Sequence, residues 1–147
     1  MDLHVPALFP ESYLANAHTR LVLYKRIASA ASTEELEELQ IETVDRFGLL
    51  PDQGKNLFRL TAIRLQCDKL GVQKLDVSES GGTIEFQDSP ALDTMTILQL
   101  ISDHPQRYQL GGPSVIKVIE SHEDPLERLS AMEALVDDLV SSLDDPA

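Results

Sequence analysis

Apolar residues recur at helical spacing through the first half of the chain. A three-to-four-residue repeat over residues 17–30 predicts an amphipathic helix. Ser32 to Glu35 form a capping box, which predicts the start of a second helix that ends at Gly48. A third helical pattern covers residues 51–70 and ends at Gly71. The first half is therefore predicted to hold three helices.

Strand patterns appear in the second half. Residues 72–77 and 83–86 alternate between apolar and polar, and the intervening Gly81-Gly82 predicts the tight turn of an antiparallel hairpin. Helical spacing returns over residues 91–103. Two strands follow, at residues 108–110 and 115–119 around Gly111-Gly112-Pro113, and a last helix begins near residue 125. This order predicts an α+β fold: N-terminal helices followed by a β-hairpin, a helix, a further strand pair and a C-terminal helix.

The start of the chain has a different pattern. Residues 1–10 are apolar apart from Asp2 and His4 and contain Pro6 and Pro10, which favours an extended lead-in arm over a helix. The 147 residues fit one domain with its own core. We therefore predict a single domain over residues 1–147, with the arm at 1–10 and the C-terminal helix at 123–147, that folds by itself as a monomer.

Charge narrows the range of partners. The formal net charge is −13, which makes binding to DNA phosphates unfavourable and an arginine-rich protein surface favourable. The only cysteine, Cys67, lies in a helical apolar pattern that predicts a buried, inert thiol. No disulfide can form within the chain, and no apolar run approaches the roughly 20 residues of a membrane span. These features predict a cytoplasmic protein with no direct contact to nucleic acid or membrane.

The usual signatures of catalysis are missing from the sequence. The four histidines, at positions 4, 18, 104 and 122, lack the three- or four-residue spacing of metal ligands, and those at 104 and 122 are expected at the surface. There is no P-loop, nucleophile elbow or zinc-protease motif. We predict no cofactor, no metal and no enzymatic activity. A small carboxylate-dependent hydrolase remains an alternative, because the chain holds many acids.

One helix face carries a candidate docking surface. On the wheel of the second helix, Leu36, Thr43 and Phe47 share one side, and the acids lie opposite. These acids form a ridge: Glu34, Glu38, Glu42 and Asp45. Ile41 interrupts the ridge, and an apolar residue among charges is typical of a small docking surface. The alternative is a solvated helix face.

Several segments resemble a known family in the same order along the chain. They are Thr19-Arg20-Leu21, Tyr24 to Ala28, Asp45 to Pro51, Lys69-Leu70-Gly71 with Lys74-Leu75, and Gly81 to Phe86. Together these segments resemble the C-terminal domain of the bacterial transcription-repair coupling factor (Mfd) family, over roughly residues 2–120. The last helix carries no matching motif.

The resemblance implies a regulatory function in nucleotide-excision repair of DNA damage. Full-length members are ATP-dependent DNA translocases that remove stalled RNA polymerase and recruit UvrA, and their motor lies outside this domain. The domain is implied to dock on the N-terminal UvrA-binding module and to mask it, which is autoinhibition. The acids that meet arginines there are implied to be Glu42 and Asp45. Glu38, Ile41, Glu42 and Asp45 are thus the predicted docking residues. The other alternative is a structural cap or oligomerisation module of the motor.

Overall fold

The protein is described by a computed structural model that covers residues 2–87, 93–120 and 122–144. The chain divides into two compact units. The helical unit is Pro6–Leu65, and the sheet unit combines Met1–Val5 with Gln66–Ala147.

The helical unit is built from the three predicted helices. They are α1 (Ala17–Ala28), α2 (Thr33–Phe47) and α3 (Asp52–Leu70), whose last turn belongs to the sheet unit. The side chain of Ser32 accepts a hydrogen bond from the amide of Glu35, so the predicted capping box begins α2. The Glu35 carboxylate reaches back to the amide of Ala31, 3.1 Å away. At the other end, Gly48 has a φ of 93° and ends α2 as predicted.

The helical unit has its own apolar core. A ring stack extends this core, because Phe9 lies 5.7 Å from Tyr13 and 5.4 Å from Tyr24 between ring centroids. The buried core residues come from all three helices and from the segments around them: Phe9, Leu14, Leu23, Ile27, Ala30, Leu36, Leu39, Leu50 and Phe58.

The sheet unit contains four antiparallel strands in the order β1-β2-β4-β3. The strands are β1 (Val72–Ser78), β2 (Gly81–Phe86), β3 (Tyr108–Gly112) and β4 (Val115–Val118). Helix α4 (Thr94–Asp103) precedes β3, and α5 (Pro125–Asp144) follows β4. Residues 91 and 92 of the predicted fourth helix lie outside the described residues. The α+β fold predicted from the sequence is confirmed, with the elements in the predicted order.

The two faces of the sheet differ in polarity. Leu75, Ile84 and Ile116 lie opposite one another in a cross-strand row and are all at most 2% exposed. The neighbouring row pairs Thr83 with Lys117, which points to the other face. Cross-strand register thus places the apolar side chains of three strands on one buried face.

The predicted positions of the two glycine turns are wrong: each turn lies next to its glycine pair and not on it. Ser78 pairs with Gly81, so the two-residue turn is Glu79-Ser80 and both Gly81 and Gly82 lie within β2. A Cβ atom at Gly81 or Gly82 would collide with the backbone of a neighbouring strand, and Gly81 has a φ of 102°. Likewise Gly111 and Gly112 belong to β3, and the turn that follows is 113–114. Close backbone approach, and not the turn, requires glycine in β2.

The first residues of the predicted arm are part of the sheet unit. The Asp2 amide donates to the Leu75 carbonyl, and the Val77 amide donates to the Asp2 carbonyl. Leu3 is 1% exposed. Arg128 of α5 is buried and donates to the carbonyls of Leu3 and His4, both at 2.8 Å.

The remainder of the arm belongs to the helical unit. Asn56 donates its side-chain amide to the Pro6 carbonyl at 2.9 Å, and the Phe9 amide donates to the Tyr24 hydroxyl at 2.7 Å. Phe9 is buried, whereas Leu8 is 75% exposed. Backbone hydrogen bonds and buried side chains therefore hold residues 2–9 against the rest of the protein.

Candidate docking surface on helix α2

Burial of one side of α2 fixes which residues face solvent. Leu36, Leu39 and Thr43 are buried, and the Thr43 hydroxyl donates to the Leu39 carbonyl at 2.7 Å. This internal bond satisfies the only polar group on the buried side. The acids of α2 consequently project from a helix whose rotation is set by its core contacts.

Ile41 is exposed as the helical wheel predicts. It is 63% exposed, which is a large value for an isoleucine in the middle of a helix. Together with Asp45, one turn further along, it lines a shallow depression whose other residues are Glu37, Gln40 and Val44. We call this depression the Ile41 patch.

Asp45 is available for an external partner. Its side chain is exposed, and within residues 2–87, 93–120 and 122–144 no lysine, arginine or histidine lies within ion-pair distance of it. An unpaired carboxylate next to an exposed apolar residue can bind the guanidinium of an arginine from a partner. The aliphatic part of that arginine side chain can then cover the isoleucine. This arrangement is the chemical core of the candidate site.

Glu42 is engaged inside the helical unit instead. Its Oε2 lies 2.6 Å from Nη2 of Arg26 on α1, and both side chains are about half-exposed. This hydrogen bond lowers the pKa of the Glu42 carboxyl, and the charges of Arg26 and Arg46 act in the same direction. Glu42 therefore stays ionised but already has an arginine partner.

The four predicted docking residues thus fall into two pairs. Ile41 and Asp45 line the Ile41 patch. Glu38 and Glu42 line a second depression between α1 and α2, which Arg26 also lines. Arg26 was missed by the sequence analysis, because residues 16 positions apart on different helices leave no periodic signal.

The thiol of Cys67 has the properties of a structural residue. Cys67 is buried, and burial together with the nearby Asp68 charge raises its pKa to about 11. A thiol with this pKa is protonated at neutral pH and is a poor nucleophile. Within the described ranges, no group of three or more His, Cys, Asp or Glu side chains is arranged to hold a metal ion. No described helix is long and apolar enough to cross a membrane.

The two histidines expected at the surface are only partly exposed. His104 packs edge-on against Tyr108, with ring centroids 6.0 Å apart. The side chain of His122 is 20% exposed, and its Nε2 lies 3.6 Å from a Glu120 oxygen, which is beyond hydrogen-bond distance.

A protein-family comparison identifies the chain. The family described as the TRCF domain matches residues 3–97, which is more than half of the chain. The chain belongs to the TRCF domain family. It is 40% identical over 129 residues to the transcription-repair-coupling factor of Escherichia coli strain K12, and 43% identical over 129 residues to that of Haemophilus influenzae. Both alignments cover 88% of this chain and 11% of the relative.

A solved structure shares the fold. The crystal structure of a C-terminal domain of transcription-repair coupling factor superposes with a TM-score of 0.73, and the match covers 97% of this chain and 91% of the other. The two sequences are 21% identical, so the likeness establishes the fold alone. The chain spans about a tenth of the length of the two bacterial relatives. The activities of those whole proteins therefore do not carry over to it from the match.

Proposed function

We propose that this chain is a non-catalytic regulatory domain of a transcription-repair coupling factor in the bacterial cytoplasm. It docks through α2 on the N-terminal UvrA-binding module of the full-length protein and masks that module until polymerase and DNA are engaged. UvrA and RNA polymerase are then indirect partners, and the domain itself holds no nucleic acid. The observation that carries this proposal is the Ile41 patch.

The chemistry of the patch indicates what kind of surface it fits. Ile41 supplies an apolar centre, and Glu37 and Asp45 supply negative charge at its edge. An apolar centre with a charged edge is the usual anatomy of a small protein interface. The net charge of −13 adds long-range attraction toward a basic partner. Membership of the TRCF domain family supports a partner within the same coupling factor.

The direct test is a binding titration of this chain against the isolated UvrA-binding module. We expect saturable binding that weakens when salt is raised from about 50 to about 500 mM, because screening reduces the attraction between exposed charges. Glu11→Gln, which removes one exposed charge outside α2, is the control for charge loss away from the docking surface. An absence of binding at both salt concentrations would refute the proposed docking.

The domain by itself is expected to be inactive on ATP and DNA. The sequence has no P-loop, and its negative charge opposes binding to phosphates. The measurements are a phosphate-release assay and a gel-shift titration with duplex DNA near 150 mM salt, with the whole coupling factor as the positive control. ATP turnover that co-purifies with the chain through two chromatographic steps would contradict this expectation.

A further inference from the structure

Helix α4 keeps apolar side chains in contact with solvent. It contains five residues with large apolar side chains, and none of its ten residues is buried. Met95 is 67% exposed and Leu98 is 41% exposed. A helix within a domain normally buries one apolar stripe, so this degree of exposure is typical of a binding surface.

A groove runs between α4 and α5 in the sheet unit. Its apolar lining comes from Met95 and Leu100 of α4 and from Leu139 of α5. Asp103 and Asp138 supply carboxylates on the two helices, so each side of the groove carries one negative charge. We call this the α4–α5 groove. No lysine or arginine lines it within the described residues.

The sequence around the groove contains acids and few basic residues. No lysine or arginine occurs between Lys74 and Arg107, a stretch that contains all of α4. Helix α5 contains a single basic residue, Arg128, which is buried and bonded to backbone carbonyls. Asp103 on α4 and Asp138 on α5 therefore give the groove a negative charge that no lysine or arginine of its described lining offsets.

We propose that the α4–α5 groove is a second docking site, distinct from the α2 surface, which binds a basic amphipathic helix of a partner protein. Apolar side chains of that helix at three- and four-residue spacing would contact Met95 and Leu100, and its flanking lysines or arginines would face Asp103 and Asp138.

Charge distinguishes this occupant from the others that an apolar groove could take. A second copy of the chain also carries −13, so pairing at this surface brings like charges together. Anionic lipid surfaces and nucleic acids are repelled for the same reason. A cationic amphipathic segment satisfies both the apolar lining and the two carboxylates.

The experiment uses the full 147-residue chain and a defined probe. The probe is a 14-residue amphipathic helix of leucine and lysine, and its counterpart carries glutamate in place of lysine. We expect the lysine probe alone to bind, in an anisotropy titration at about 50 mM salt. Amide NMR shifts caused by the probe should cluster on α4 and on residues 135–143 of α5.

Two double variants with equal charge loss test the specificity. Asp103→Asn with Asp138→Asn should weaken binding of the lysine probe about three- to tenfold, because each removes a rim charge. Glu11→Gln with Glu123→Gln changes two exposed acids outside the groove and should alter affinity less than twofold. Met95→Ser should weaken the α4 shifts without changing the charge of the groove, and it should leave the fold intact, since Met95 is exposed. Equal weakening by both double variants, or shifts confined to other surfaces, would overturn the proposal.

The α2 variants used to test docking do not enter this experiment, so the two proposals can fail separately.

Discussion

Asp45→Lys is expected to unmask the UvrA-binding module in the full-length coupling factor. Lysine at this position places a positive charge beside Ile41, where the proposed partner presents arginines. Loss of one partner from a desolvated interfacial charge pair costs about 2 to 5 kcal/mol, which corresponds to roughly 30-fold or more in the docking equilibrium. The open population, and with it UvrA binding without polymerase or DNA, should rise accordingly. The measurement is a titration of full-length wild type and variant with UvrA.

Two variants on the neighbouring pair separate the contributions within the ridge. Glu42→Ala should affect docking less than Asp45→Ala, because the Glu42 carboxylate is already bound by Arg26. Arg26→Gln should tighten docking severalfold, since it frees Glu42 for an external arginine and makes the ridge more negative.

The domain must remain folded for these comparisons to be informative, and the exposure of Asp45 and Ile41 makes this the expected result. Thermal melts of the isolated variants check it. If full-length Asp45→Lys binds UvrA at the wild-type level while its isolated domain melts normally, the acidic ridge is a solvated helix face.

Arg128→Ala is expected to cause the largest loss of stability of any single arginine substitution in the sheet unit. The Arg128 guanidinium is buried and donates to three carbonyls, those of Leu3, His4 and His122. Alanine removes the guanidinium donor from all three carbonyls and opens a cavity. We expect the free energy of unfolding to fall by about 3 to 5 kcal/mol, because each unsatisfied buried group costs about 1 to 3 kcal/mol and solvent recovers part of this.

Urea unfolding followed by circular dichroism measures this loss, and amide hydrogen exchange locates it. Exchange should accelerate first at the Asp2 and Val77 amides, whose bonds join the arm to β1. Arg107→Ala is a suitable control, because its ion pair with Glu120 is partly exposed and is worth about 0.2 to 1 kcal/mol. Equal midpoints for Arg128→Ala and Arg107→Ala would show that the arm needs no guanidinium to stay bound.

The helices of this protein are determined by local sequence. The hydroxyl of Ser32 and the freedom of Gly48 to adopt a positive φ set the two ends of α2. Burial of Leu36 with exposure of Ile41 follows from a rotation of 100° per residue. These features depend on residues within one or two turns of each other, so periodicity and capping rules find them. The alternation of apolar and polar residues in the strands is also local. Together with the helical patterns it predicts the α+β order of elements.

Other features depend on residues far apart along the chain. The turn before β2 is placed by the pairing of Ser78 with Gly81. In that register the backbone of the neighbouring strands leaves no room for a Cβ atom at Gly81 or Gly82. The engagement of Glu42 by Arg26 requires α1 and α2 to be packed side by side. Arg128 holds the Leu3 carbonyl across 125 positions of sequence. Sequence patterns encode short-range geometry, whereas these contacts exist only once burial and strand register have brought distant segments together, and so only the tertiary structure could decide them.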